Sequence, residues 1–388
     1  MTEMETVNLA SDAPQVRVER FIRQWLETAP SLETLPSERE LARRLEVGRT
    51  TVRRALATLA REGLLKRDGR RLRQAGAAVA AGPAGILART VVMLLPQIEE
   101  QDATVRAHWT EYGSLGCARA LRTEGLNALS LTEQNADMAE VGRILALRPM
   151  GFLVPDAFLD PANTLATANA AAAANIPLVV YGGAPELAVF DRVMSDHDEG
   201  SAMLVRHFVS KGYKRIAQFW GKPWNRYWLV ARDRGYQKAM RQAGLEPMPI
   251  MESSPVGKAM GDREYFDKQV KHMAGYLVPV LTGKDSPEVL LCGSDRDVAY
   301  VVAACRLFGR KPGVDIQIAG YDAYYQMCEE HAFEPTLPGA TIHKQNAEMG
   351  EDMVRMLLSR INGELPEGPQ TQVVEPKLVI PAKEHGRT

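Results

Sequence analysis

The chain has 388 residues, 45% of them hydrophobic and 24% charged, and a formal net charge of −1. Such a length implies two or three domains, and the composition is that of soluble globular protein with ample cores, so neither disulfide staples nor a bound metal is required for folding. The charge is uneven: residues 36–73 hold twelve basic and five acidic side chains, whereas the chain as a whole holds 47 and 48. A local basic cluster on a mildly acidic chain points to one surface built for a polyanion.

Cys117, Cys292, Cys305 and Cys328 form no C-x-x-C pair and sit beside no His at zinc-ligand spacing. No disulfide framework and no metal site are expected, and a reducing cytoplasm fits. The first fifteen residues are acidic and polar, and no stretch approaches the roughly 18 apolar residues of a membrane span, so no secretory signal and no membrane partner are expected.

In chain order, Val18, Phe21, Ile22 and Trp25 recur at helical spacing and predict a helix over 16–28, ended by Pro30. Ser37 and Glu40 form an S-x-x-E capping box at the start of a second helix, with Leu41 and Leu45 facing inward. After a turn at Glu46-Val47-Gly48, a third helix runs to about Glu62. Its apolar face carries Val52, Ala55, Leu56 and Leu59, and its opposite face carries Thr50, Arg53, Arg54 and Arg61. Gly63 is placed as its left-handed C-cap. "LLKRDGRRLRQ" then predicts a hairpin turning at Asp68-Gly69. Three helices and a basic hairpin make an α+β winged helix-turn-helix, whose third helix fits the major groove and whose wing suits phosphates or a narrow minor groove.

The stretch "LPSERELARRLEVGRTTVRRALATLAREGLL" resembles the GntR-family winged helix over about forty residues. That resemblance implies DNA contacts at Arg39, Arg49, Thr50, Thr51 and Arg53, and wing contacts at Gly69 and Arg70. Gly48 departs from the Ser or Thr usual in the family and removes a hydroxyl-to-phosphate bond. Arg54 and Arg61 read equally well as plain surface charges. The competing reading of the whole face is a solvated basic surface on a protein–protein module.

"QAGAAVAAGPAGILART" is Gly/Ala/Pro-rich and reads as a linker. The expected boundaries are a DNA-binding domain at 1–76, a linker at 77–89 and a second domain at 90–388. From Thr90 onward, apolar strands ("TVVMLLP", "GFLVPD", "PLVVYGG", "RIAQFWG", "EVLLCGSD", "IQIAGYD") alternate with helices at 110–124, 136–148, 198–211, 228–243, 295–309 and 347–361. Gly125, Pro149, Gly212 and Gly244 end several of them. Continuous apolar strands in alternation with helices predict an α/β domain with buried parallel sheets.

No G-x-G-x-x-G, Walker A, H-E-x-x-H or G-x-S-x-G pattern occurs, and the seven His are scattered. No enzyme and no cofactor are expected. The segments "FDRVMSDHDEGSAMLVRHFVSKGYKRIAQFWG", "ARDRGYQKAMRQAGL", "LLCGSDRDVAY", "DIQIAGYD" and "ATIHKQNAEMGEDMVRMLL" are instead similar to the LacI/GalR effector domain, itself similar to periplasmic sugar-binding proteins. The similarity is loose over 90–150. A GntR winged helix on a LacI-type domain is the arrangement of arabinose-repressor-type regulators, and the LacI hinge helix is missing. The resemblance implies two α/β lobes joined by three crossovers around a ligand cleft.

Candidate effector residues follow. Arg232 shares a helix stripe with Trp228, Gly235 and Ala239, so it needs partners or a wet cleft, unless it snorkels to the surface. The resemblance places Arg232 and Asp295 at effector-contacting positions, and Asp295 also reads as a helix N-cap. Together they could hold vicinal sugar hydroxyls. In "WGKPWNRYW", Trp224 or Trp228 offers an indole face to a sugar ring, and Trp109 offers one from the first lobe. Asp196 reads as a helix cap and Asp322 as structural. The expected partners are double-stranded operator DNA, a sugar or sugar derivative, and a second copy in a homodimer. The expected function is a ligand-responsive repressor. A sugar-binding carrier and a sugar-processing enzyme are the alternatives.

Overall fold

The computed structural model describes residues 14–28, 36–61, 65–68, 71–74, 87–95, 103–132, 138–154, 161–221, 226–253, 262–283 and 285–382. The chain divides into two compact units, residues 1–91 with 144–150, and residues 92–143 with 151–388.

The first unit opens with α1 (Pro14–Thr28), α2 (Glu38–Arg44) and α3 (Arg49–Arg61), followed by the hairpin β1 (Leu65–Asp68) and β2 (Arg71–Gln74). Val18 and Ile22 of α1, Leu41 of α2, Val52, Ala55, Leu56 and Leu59 of α3, and Leu65 of β1 form one buried cluster. All but Leu65 are inward positions that the spacing predicts; Phe21 and Leu45, also predicted, pack against the cluster partly buried, and Trp25 is half-buried. The Ser37 hydroxyl accepts from the Glu40 N–H at 3.2 Å, so α2 is capped as expected. The Glu40 carboxylate does not complete the box but pairs with Arg43 at 2.7 Å, one turn further on. Glu46 takes a φ of 51° in the turn before α3. The wing differs by one residue from expectation: Asp68 pairs with Arg71, so the connection is residues 69–70 rather than 68–69. Gly63 and residues 75–86 of the linker lie outside the described residues.

The second unit carries two lobes. The first lobe is built on a six-stranded sheet in the order β13-β7-β6-β5-β3-β4. Its strands are β3 (Thr90–Leu95), β4 (Asn127–Thr132), β5 (Gly151–Val154), β6 (Leu178–Tyr181), β7 (Asp191–Ser195) and β13 (Thr371–Val374). Its helices are α4 (Ala103–Thr123), α5 (Met138–Ala146), α6 (Pro161–Ala173) and α11 (Asn346–Ile361). The second lobe has a four-stranded sheet, β11-β10-β8-β9. It comprises α7 (His197–Ser210), β8 (Ile216–Gly221), α8 (Tyr227–Gln242), β9 (Met251–Ser253), α9 (Arg263–Leu281), β10 (Val289–Cys292), α10 (Asp295–Leu307) and β11 (Gln317–Ala319). The short antiparallel pair β12 (Thr341–His343) and β14 (Lys377–Val379) completes it. The main chain crosses between lobes three times, from β7 to α7, from β12 to α11 and from β13 to β14.

Strand pleating explains the second lobe's layers. Val289 and Leu291 of β10 face the cluster built from α7 and α8, while Leu290 and Cys292 face the cluster built from α9 and α10. Both faces of the sheet are buried, so its strands read as apolar runs and pair in parallel. Each fully buried aliphatic side chain contributes about 1.5–3 kcal/mol.

In the first lobe, α4 crosses α11 at contact distance. A Cβ on Gly116 would lie 2.0 Å from the Ala347 carbonyl oxygen, and one on Gly350 would lie 2.1 Å from that of Gly113. The Cys117 thiol donates to the Gly350 carbonyl at 3.3 Å across the same crossing. The obstacle is backbone on both sides, which no rotamer change relieves. Gly116→Ala and Gly350→Ala are each expected to destabilise by at least about 1–3 kcal/mol, the cost of overpacking a well-packed site. Urea unfolding of the full chain measures this, and a wild-type midpoint would mean that the helices can separate freely.

Candidate functional site

Two regions carry the expected site residues. In the first unit, Arg39, Arg49, Thr50 and Arg53 are exposed and Thr51 is half-buried, while the opposite face of α3 is in the core. The Gly48 carbonyl accepts the N–H groups of Thr51 and Val52, at 2.9 and 3.2 Å, and closes the first turn of α3. Arg53 is fixed from α2: its Nε donates to a Glu38 carboxylate oxygen at 2.8 Å. That bond uses the Nε of a guanidinium whose side chain is otherwise largely exposed. Gly69 and Arg70 lie outside the described residues.

In the second unit, Arg232 is buried rather than snorkelling, with 3% of its surface exposed. Its Nη1 donates to the Gly293 carbonyl at 2.6 Å, at the end of β10. Its Nη2 lies 3.5 Å from an Asp322 carboxylate oxygen. The same oxygen lies 2.8 Å from Lys344 Nζ. The guanidinium carbon lies 3.4 Å from the centroid of the Tyr321 ring and 4.6 Å from that of Trp228. His197 packs between Tyr227 and Tyr321. Burial, then the nearby Arg232 and Lys344 charges, hold its pKa well below the usual imidazole range, so the ring is neutral.

Asp295 is placed differently from expectation. Ser294 occupies the N-cap position, and Asp295 is the first residue of α10. One of its oxygens accepts from the Thr341 hydroxyl at 2.6 Å, and the other from the Tyr324 and Tyr325 N–H groups at 2.7 and 3.2 Å. One oxygen thus holds the segment that follows β11, and the other holds the start of β12. Asp322 sits nearest the Arg232 fork, with a φ of 92°. Asp196 caps α7 as expected, accepting from the Glu199 N–H at 2.8 Å. Trp228 covers Arg232. Trp224 lies outside the described residues, as does the side chain of Trp109.

Sequence reasoning passed over Lys344 and weighed Asp322 as structural. A Lys directly after the apolar strand "ATIH" was the available signal. A separate cavity lies in the first lobe between β3, α4 and α11, lined by Met93, Leu95, Cys117, Tyr181, Met349 and Met353 among others. Its walls are largely apolar, so the polar constellation lies elsewhere. Among the described residues, no cluster of three or more His, Cys, Asp or Glu side chains could hold a metal ion. No helix among them is long and apolar enough to cross a membrane.

Residues 14–71 match the gntR family of bacterial regulatory proteins, and residues 205–381 match the periplasmic binding protein-like domain. The chain therefore joins a gntR-type winged helix to a periplasmic binding protein-like domain. It is 28% identical over 213 residues to the HTH-type transcriptional repressor PurR of Glaesserella parasuis serovar 5, covering 53% of this chain and 57% of that one. It is 30% identical over 211 residues to the HTH-type transcriptional regulator CelR of Thermobifida fusca, covering 53% and 56%. The chain thus spans little more than half the length of the curated relatives it matches. A solved transcriptional regulator CelR–cellobiose complex shares the fold, with a TM-score of 0.57 at 20% identity over 89% of this chain and 99% of that one.

The buried acids give a pH prediction. Burial pushes the Asp295 carboxyl up to about 8, against the opposing pull of the Thr341 hydroxyl and the two backbone N–H groups. Burial likewise raises Asp297, to about 6, against the pull of Arg296. An acid whose folded pKa lies above its unfolded value keeps its proton in the native state. Stability then falls as pH rises from the unfolded pKa to the folded one, by at most about 1.4 kcal/mol per unit for one group. Above the Asp297 range, Asp295 alone of the two carries this slope. Asp295→Asn is expected to flatten it in urea unfolding compared at about pH 6.5 and about pH 8. Parallel pH dependence in wild type and variant would refute the assignment.

Proposed function

We propose that the chain is a ligand-responsive transcriptional repressor. The winged helix binds operator DNA, and a small polyhydroxylated molecule, a sugar or sugar derivative, binds between the lobes. The observation that carries this reading is the joining of the two modules, with a buried Arg232, against the Tyr321 and Trp228 rings, beside Asp322 in the second. A guanidinium edge that donates next to a carboxylate that accepts suits vicinal hydroxyls. The regulator names of the relatives support the reading, as does the cellobiose in the CelR complex.

In this reading the DNA contacts are Arg39, Arg49, Thr50, Thr51, Arg53 and the wing at Gly69 and Arg70. The effector contacts are Arg232 and Asp322, with Asp295, Trp228, Trp224 and Trp109 around them. The domains run 1–76 and 90–388, joined by 77–89. The protein works in the cytoplasm as a homodimer, which makes its operator a near-palindrome, and it catalyses no reaction. Ligand acts by binding one lobe arrangement better than another, and the DNA affinity shifts by that difference.

The test is binding of the full chain to its own upstream DNA across a salt series. Tight, sequence-preferring binding with a steep negative dependence on log salt is expected. Arg49→Ala and Arg53→Ala should each weaken operator binding by about 1–3 kcal/mol, the range for a base-reading contact. Glu38→Ala should relax base preference at the position read by Arg53. Unchanged operator affinity in all three variants would remove α3 as the reading helix. Arg232→Lys keeps the charge but loses the fork. It is expected to bind operator as the ligand-free wild type does and to lose the response to whichever sugar of a panel acts on the wild type. Turnover of a glycoside by the purified chain would overturn the repressor reading.

A further inference from the structure

Residues 320–340 connect β11 to β12 with only two short 3-10 turns, Tyr325–Met327 and Glu329–Ala332. Connections of this length without regular structure are uncommon in compact domains and are usually functional. Three acidic side chains tie this one to the second lobe. Asp295 holds its first turn through the Tyr324 and Tyr325 N–H groups. Glu330 accepts from Arg296 at 2.7 Å and from the Tyr300 hydroxyl at 2.9 Å. Glu334 accepts from Arg306 at 3.1 Å and from the Thr336 hydroxyl at 2.6 Å. Between these anchors the tip reaches the other lobe: Met327 Sδ lies 3.6 Å from the Tyr112 hydroxyl of α4.

The segment begins under strain. Asp322 and Ala323 take φ values of 92° and 56°, two consecutive non-glycine residues in the left-handed region. Asp322 is also the carboxylate shared by Arg232 and Lys344. Met327 lies five positions further on. A second contact to the first lobe lies near Arg232 in the sequence. Tyr227, five residues before Arg232, lies so close to Gly183 of the first lobe that a Cβ there would be 3.1 Å from its ring. A residue five positions from Asp322 and another five positions from Arg232 thus each meet the first lobe.

We infer that residues 321–334 are a latch between the lobes: Met327 seated on Tyr112 holds α4 to the second lobe, and the strained turn at 322–323 links that contact to the Arg232–Lys344 pair. The latch stands without any identified ligand, so its failure leaves the repressor reading intact.

The experiment is hydrogen–deuterium exchange of the full chain without ligand, for wild type, Met327→Ala, Tyr112→Phe and the double variant. Both side chains are exposed, at 37% and 42%, so neither substitution removes core packing. Met327→Ala is expected to speed exchange about three- to tenfold in peptides around Tyr112 and in the strap tip, while Glu330–Thr336 keeps its protection through its own anchors. The double variant should exchange no faster than Met327→Ala alone. Wild-type exchange around Tyr112 in both single variants would overturn the latch. So would a uniform acceleration across the second unit, which would make Met327 a general stability residue.

Discussion

Two buried cations share one carboxylate at the heart of the second unit, and the arrangement around them follows from the cost of burying charge. Arg232 and Lys344 reach the same Asp322 oxygen, from α8 and from the strand end that leads into α11. Taking such groups out of water costs several kcal/mol each, and removing one partner of a buried pair typically costs about 3–5 kcal/mol. The protein offsets this with further contacts to the same atoms. Gly293 accepts from the guanidinium, and the Tyr321 and Trp228 rings lie against it, each such contact contributing up to about 2 kcal/mol when desolvated. The backbone of Asp322 accepts a left-handed conformation to bring its carboxylate there. Strain and charge burial at one turn fit a site whose energy changes when a ligand replaces an internal partner.

The next shell follows the same logic. Asp295 does not point into the charged group. It secures the backbone that positions Asp322, and Thr341 closes the other side. Burial leaves this carboxyl protonated over much of the neutral range. It therefore adds little charge beside Asp322. His197, held neutral beside Arg232 and Lys344, fills the crossover from β7 without adding a third cation. The first lobe solves a different problem. Its glycine crossing of α4 and α11 fixes the helix that follows the Lys344 crossover directly against the lobe's own core.

The winged helix depends on charge of the opposite kind of placement, exposed rather than buried. Its buried apolar residues form one small cluster, and Arg39, Arg43 and Arg44 of α2 and Arg49, Arg53 and Arg54 of α3 stay exposed. Glu38 pairs with Arg53 across the α2–α3 turn, an exposed ion pair at 2.8 Å.

Much of this was legible in the sequence. Helical spacing placed Val18, Ile22, Leu41, Val52 and Leu59 in one core, and the six apolar runs each form a strand, because periodicity and apolar continuity are local properties of the chain. The elements that escaped had a contradictory local signal. β7 begins at Asp191, whose charge is paired by Arg360 at 2.6 Å across 169 positions. α9 contains Gly275 and Pro279, which read as breakers although Phe266, Val270, Met273 and Leu277 repeat at helical spacing. β4 lies at the edge of its sheet and carries no apolar run. For the site, the sequence by itself determined that a basic winged helix precedes an α/β domain, and that Arg232 on its helix stripe needs partners or a wet cleft unless it snorkels. Only the tertiary structure decided that it is buried, that Asp322 lies beside it while Asp295 bonds elsewhere, and that Lys344 shares Asp322. Neighbouring residues at a strand end point in different directions, and which of them meets a side chain 90 positions away depends on the folded backbone.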